Sequence, residues 1–192
     1  MGIEFELKYR ATVEIQQAIR AEIPGQEHLF SMQTTYYDTP DGTLSAKHYT
    51  LRRRMENDIS VCTLKAPAGD ARGEWEVNCD RIEDAILMLC KLGAPEDLLT
   101  LTASGVIPIC GARFHRIART VELPECTVEL ALDEGVLTGG GKELPLCEVE
   151  VELKAGMKEV CLVFAKKLAE VYGLTPEPKS KFRRALDLYR GD

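Results

Sequence analysis

No run of about 18 apolar residues occurs in the 192-residue chain, so a membrane-spanning helix is not expected. The opening MGIEFELKYR alternates apolar and charged residues where a secretory leader needs an apolar stretch. Glu6 stands where a myristoylation signal needs Ser or Thr. Histidine is scarce, and His28, His48 and His115 have no metal-ligand spacing. The seven cysteines are odd in number and contain no C-x-x-C pair, which leaves zinc-ribbon and thioredoxin-type readings without support. They predict reduced thiols at apolar positions in a cytoplasmic protein. No G-x-S-x-G elbow is present. Gly139-Gly140-Gly141-Lys142 is followed by Glu143, so it lacks the end of a P-loop and reads as a hairpin tip. A basic surplus is also missing. Lys and Arg total 24 against 31 Asp and Glu, a net charge of −7, which argues against broad nucleic-acid binding but not against a local basic pocket for an anion.

Hydrophobic residues make up 45% and charged residues 29%, a globular composition with enough chain for one sizeable core. The periodicity predicts many short strands with a few helices between them. Strands are predicted at Ile3–Tyr9, Met32–Asp38, Tyr49–Met55, Ile59–Ala66, Gly73–Cys79, Gly111–Val121, Cys126–Leu132 and Leu146–Leu153. Helices are predicted over Thr12–Ile23, after a cap at Asp80, over Met157–Tyr172 with Gly173 as stop, and after a cap at Ser180, with a short helical piece at Pro95–Leu101. The strands are mostly too closely spaced for crossover helices, so the sheet should be largely antiparallel, and eight strands can close into a barrel. The lone Trp75 alternates with Glu74 and is expected outside that barrel under a helix.

Alternation also sorts the charges. Glu4, Glu6 and Lys8 share one strand face, as do Glu148, Glu150 and Glu152. Arg52 with Arg54, Arg72 with Glu74, and Glu129 with Asp133 do the same, and Lys65 shares its face with Val61 and Thr63. Each segment alone fits a sheet with one wet face. Together they differ, because three carboxylates in series repel and the acids gather on strands distant in the chain from the bases. Facing one interior, they could not form a dry core. They would line a hydrated channel in which carboxylates suit Mg²⁺ or Mn²⁺ and Arg and Lys suit phosphate.

Several stretches resemble one family in order along nearly the whole chain. Glu4-Phe5-Glu6-Leu7-Lys8 matches the E-x-E-x-K signature of the CYTH superfamily, the triphosphate tunnel metalloenzymes. Thr35-Tyr36-Tyr37-Asp38-Thr39-Pro40-Asp41, Leu51-Arg52-Arg53-Arg54, Thr63-Leu64-Lys65, Phe114-His115-Arg116, Glu129–Gly135, Glu148–Glu152 and Ser180-Lys181 are similar to its later blocks. The look is that of the bacterial inorganic triphosphatase branch, and a stand-alone domain is expected, without the helical CHAD domain that larger relatives carry. His28-Leu29-Phe30 breaks the His-Phe pairing of the class IV adenylyl cyclase branch. The resemblance implies an α+β fold of one domain, residues 1–192: an eight-stranded antiparallel β-barrel tunnel, helices packed outside, and a C-terminal helix carrying Lys181 and Arg184 near one end. It implies Mg²⁺- or Mn²⁺-dependent hydrolysis of inorganic triphosphate, with nucleoside or thiamine triphosphate hydrolysis, cyclisation, or non-catalytic polyphosphate binding as alternatives. Glu4, Glu6, Glu148, Glu150 and Glu152 would hold metal, and Glu4, Glu6 and Lys8 would serve catalysis. Lys8, Arg52, Arg54, Lys65, Arg72, Arg116, Lys179 and Lys181 would bind a small-molecule triphosphate, with Glu74, Glu129 and Asp133 as further tunnel acids. No nucleic acid or membrane partner is expected.

Overall fold

Strands of alternating character pair with whatever strand hides the same face, and here that rule builds one curled sheet. The computed structural model describes residues 5–68 and 71–191. Its strands are β1 (Glu6–Arg10), β2 (Glu27–Asp38), β3 (Thr50–Glu56), β4 (Ile59–Ala68), β5 (Ala71–Asn78), β6 (Ile107–Leu123), β7 (Cys126–Gly139), β8 (Lys142–Gly156) and β9 (Thr175–Pro176). Its helices are α1 (Val13–Glu22), α2 (Thr43–Ala46), α3 (Ile82–Lys91), α4 (Leu98–Leu101), α5 (Lys158–Tyr172) and α6 (Lys181–Arg190). All strand pairs are antiparallel, in the order β5-β4-β3-β2-β6-β7-β8-β1-β9.

The eight-stranded closed barrel is therefore corrected to an open sheet of nine strands among the described residues. The free edge of β1 is taken by β9, through Tyr9↔Pro176 and Arg10↔Thr175, rather than by β5. Pro176 has no N–H to extend a ladder further, which suits an edge. The sheet nonetheless curls until its two ends face each other, because Glu6 and Lys8 of β1 and Arg72 and Glu74 of β5 line the same cavity.

Apolar side chains cover the convex face. Leu64 and Trp75 pack with Ile82, Ile86 and Leu89 of α3, which places Trp75 under a helix as its alternation predicts. Val128, Val149 and Val151 pack with Ile19 of α1 and with Cys161, Ala165 and Leu168 of α5. The third cluster lies on the concave side, where Ala185 and Leu186 of α6 meet Met32, Phe114, Leu137 and Leu146. Helix α6 thus sits inside the curl. Ser180 caps it by accepting the Arg183 N–H at 3.1 Å, as predicted.

Two local differences from the sequence pattern have physical causes, and the glycine-rich hairpin tip is found where the sequence places it. The helix expected to be capped by Asp80 starts one residue later, with Arg81 at the N-cap, and the Asp80 carbonyl instead accepts the Arg53 guanidinium at 2.8 Å. The strand expected over Cys126–Leu132 runs on through Gly135 to Gly139. A Cβ at Gly135 would lie 2.1 Å from the Arg113 carbonyl oxygen, so glycine keeps β7 against β6 there. Gly140 and Gly141 have φ of 58° and 74°, the pair of left-handed residues that a tight two-residue hairpin requires.

Gly139 lets α6 approach the sheet. A Cβ there would fall 2.5 Å from the Ala185 carbonyl oxygen and 2.8 Å from the Tyr189 nitrogen. Gly139→Ala is expected to destabilise the protein by about 1–3 kcal/mol, as overpacking does, seen as a melting temperature lower by several degrees. An unchanged melting curve would show that α6 docks loosely.

Candidate active site

The strand registers decide which charges meet. Glu6 and Lys8 of β1 lie opposite Glu152 and Glu150 of β8. Glu152 and Glu148 lie opposite Glu129 and Asp133 of β7. Asp133 lies opposite Arg116 of β6. On the other wing, Tyr36 and Thr34 of β2 lie opposite Arg52 and Arg54 of β3, Arg52 opposite Thr63 of β4, and Lys65 of β4 opposite Glu74 of β5. Residues opposite one another share a face, so one concave face carries an acidic wing and a basic wing.

Between the wings lies a cavity of about 560 Å³. It is lined by Glu6, Lys8, Arg52, Arg54, Lys65, Arg72, Glu74, Arg116, Glu150, Glu152 and Lys181, together with Tyr36 and Phe182. A second cavity of about 560 Å³ shares Arg52, Arg54, Glu74, Arg116 and Glu152 and adds Glu56, Glu76, Glu129 and Lys154. Most residues singled out from the sequence therefore converge. Glu148 and Asp133 are buried beside the first cavity rather than lining it. Lys179 lies apart, exposed and bonded to Asp187 at 2.8 Å. Glu4 falls outside the described residues.

The deepest part is a closed charge network. Lys181 donates to Glu148 Oε2 and Glu150 Oε1 at 2.6 Å each and stands 2.8 Å from Asp133 Oδ2. Arg116 grips Asp133 through two contacts of 2.7 Å and reaches Glu150 at 2.5 Å. Arg184 bonds the other oxygen of Glu148. Burial pushes the Glu148 carboxyl up, against the opposing pull of Lys181 and Arg184. Burial would do the same to Glu150, but Lys181 and then Arg116 outweigh it and hold that carboxyl well below the usual range. From behind the sheet, the buried Gln16 of α1 donates to the carbonyls of Asp133 and Glu148 at 2.9 and 2.8 Å. In the sequence Gln16 is one of several polar positions in the helix predicted over Thr12–Ile23, and periodicity alone does not mark it as buried.

The basic wing is less well neutralised. The Arg54 side chain is 11% exposed, donates from Nε to Thr34 at 3.1 Å, and stands 3.6 Å from Glu56. Its pKa is pulled down to about 10, first by burial and then by the Arg52 and Arg116 charges. Arg52 stands 3.8 Å from Glu74 and buries its Nε without a hydrogen-bond partner. Cations left in this condition mark a place for an anion.

The outer acids fit a hard cation. Glu6, Glu152 and Glu129 are successive cross-strand neighbours on β1, β8 and β7 and are partly exposed. Like charges placed opposite one another destabilise a sheet unless a cation joins them. Lys8 lies 3.2 Å from Glu6, and Lys154 lies 2.8 Å from Glu152. An all-oxygen donor set of this kind suits Mg²⁺ or Mn²⁺. Deeper in, Asp133, Glu148 and Glu150 can each place one oxygen within 4.8 Å of the others, also a cation's spacing.

The Tyr-Tyr-Asp-Thr-Pro-Asp stretch turns out to shape the chain rather than face the cavity at its acids. Asp38 is buried and accepts the Thr39, Leu44 and Ser45 backbone N–H groups, which folds the loop into α2.

Known proteins resemble the chain in sequence or in fold. The inorganic triphosphatase of Haemophilus influenzae is 31% identical over 161 residues, which are 80% of this chain and 46% of that protein, so the chain spans about half the length of this curated relative. The PH1819 protein of Pyrococcus horikoshii superposes with a TM-score of 0.66 at 23% identity, over 96% of this chain and 99% of that one. HpAC1 of Hippeastrum, reported with a dominant triphosphatase activity, superposes with a TM-score of 0.63 at 17% identity, over 100% of this chain and 96% of that one. The CYTH domain family matches residues 2–186, nearly the full length and all of the cavity-lining strands, and the chain belongs to that family.

Proposed function

We propose that the chain is a divalent-metal-dependent hydrolase of inorganic triphosphate. The observation that carries this reading is a cavity in which a basic wing with incompletely neutralised Arg52 and Arg54 faces an acidic wing. A pocket for an anion alone has little use for the second wing. The Haemophilus influenzae relative, an inorganic triphosphatase, supports the same substrate class.

Arg52, Arg54, Lys65 and Arg72 bind the phosphate oxygens, and Arg116 adds its charge while its fork stays on Asp133. Lys8 lies at the border of the two wings, 3.2 Å from Glu6, where it offers charge to the phosphoryl group beside the metal. Glu6 and Glu152 would hold the ion, with Glu4 as the remaining carboxylate of the signature. The ion, when bound, supplies charge neutralisation and a more acidic water. Phosphoryl transfer requires mainly positioning and charge neutralisation, so no nucleophilic side chain is required. Water is the attacking group, and phosphate and a shorter chain are the products.

The test is phosphate release from tripolyphosphate, ATP and thiamine triphosphate with Mg²⁺ and with Mn²⁺. The expected result is metal-dependent release, fastest from tripolyphosphate. Faster release from an organic triphosphate, formation of cyclic AMP, or tight binding of all three without turnover would each replace the proposal.

A further inference from the structure

An ammonium group has three N–H donors and no acceptor. Lys181 has three carboxylate partners, Asp133, Glu148 and Glu150, all between 2.6 and 2.8 Å. Two of its N–H groups are donated, to Glu148 and Glu150, and the Asp133 oxygen lies within ion-pair distance of the same nitrogen. The side chain is 8% exposed, so water does not compete for it. The charges also balance locally, with three carboxylates against Lys181, Arg116 and Arg184. A divalent ion entering this triad would create an excess of buried positive charge. The outer carboxylates Glu6 and Glu152 line the cavity and are partly exposed.

We infer that Lys181 is the resident cation of the Asp133–Glu148–Glu150 triad, occupying the place a divalent ion would otherwise take, and that the catalytic ion is held on the Glu6–Glu152 side. The inference deepens the proposed function and rests on it for the role of the outer ion. Lys181 is thereby a positioning residue rather than a phosphate ligand. It fastens the start of α6 inside the curl, with Ser180 capping the same turn and Arg184 one helical turn later on Glu148. Gln16 supports the arrangement from the convex side by holding the backbone of two of the three acids.

The experiment counts Mn²⁺ ions bound to the full chain by electron paramagnetic resonance, without phosphate. Lys181→Met removes one of three cations and leaves a buried excess negative charge among three oxygen donors. The variant should bind one more Mn²⁺ than the unaltered protein, and no gain would overturn the inference. Glu148→Gln in an otherwise unaltered chain should leave the ion count and affinity unchanged, whereas loss of an ion would overturn it. Should Lys181→Met fail to fold, the unaltered protein still decides. The nitrogen-15 resonance of the Lys181 ammonium should keep its position and slow hydrogen exchange when Mg²⁺ and tripolyphosphate are added, and a shift to a phosphate-bound environment would refute the role. None of these readouts uses turnover, so tripolyphosphate hydrolysis can fail while the ion count stands.

Discussion

Replacing Arg54 with Met should weaken tripolyphosphate binding by roughly ten- to a hundredfold, the equivalent of one charge-assisted contact of about 1.5–3 kcal/mol. The same change should leave the melting temperature of the ligand-free protein unchanged or higher. Both outcomes follow from one condition. Arg54 is buried between two other arginines, with a neutral hydroxyl as its hydrogen-bond partner and its carboxylate neighbour at 3.6 Å. Its charge is therefore poorly compensated until an anion arrives, and an apolar side chain of similar length removes the penalty together with the binding energy. A structural Arg54 would behave the opposite way, with a lower melting temperature and an unchanged binding isotherm. Calorimetric titration with tripolyphosphate and a thermal melt on the same sample separate the two. Arg116 is the internal contrast. It is bonded to Asp133 and Glu150 and held above its ordinary pKa despite burial, so its removal should harm folding as well as binding.

Alternation made the wings readable from residue order, because a strand exposes every second side chain to one face whatever its partner is. Glu6, Lys8, Arg52, Arg54, Lys65 and Glu152 needed only that rule and the assumption of a common interior. Closure did not follow from it. Whether β1 meets β5 or a two-residue segment far along the chain depends on long-range geometry that no local spacing encodes, and Thr175-Pro176 offers no strand signal of its own. The division of labour among the acids was equally hidden. Glu6 and Glu150 look equivalent in sequence, each at an alternate position of an acidic strand. Only the docking of α6 separates them, since it brings Lys181 and Arg184 onto the β8 acids and leaves Glu6 with Lys8. Asp38 shows the same limit in reverse: it sits in a recognisable motif, yet its backbone partners are adjacent in the chain or six and seven residues away.

Glu150→Gln should consequently lower stability, whereas Glu6→Gln should affect metal binding with little change in the melt. Glu150 is faced by Lys8 from β1, Arg116 from β6, Asp133 from β7, Glu148 on its own strand and Lys181 from α6. Gln keeps the shape but leaves Lys181 and Arg116 with less negative charge in a buried site, a loss of about 3–5 kcal/mol when one partner of a buried pair is removed. At pH 7 that corresponds to a melting temperature lower by roughly 10 °C for a chain of this size. The pH dependence has a definite sign. The folded Glu150 carboxyl titrates well below its unfolded value of about 4.3, so its contribution is complete above that pH and declines as pH falls toward the folded value. The gap in melting temperature between the unaltered protein and Glu150→Gln should therefore be largest near neutrality and narrower at pH 3, measured without metal. A gap that stays constant from pH 7 to pH 3 would mean that the shape of this side chain, and not its charge, secures α6 inside the sheet.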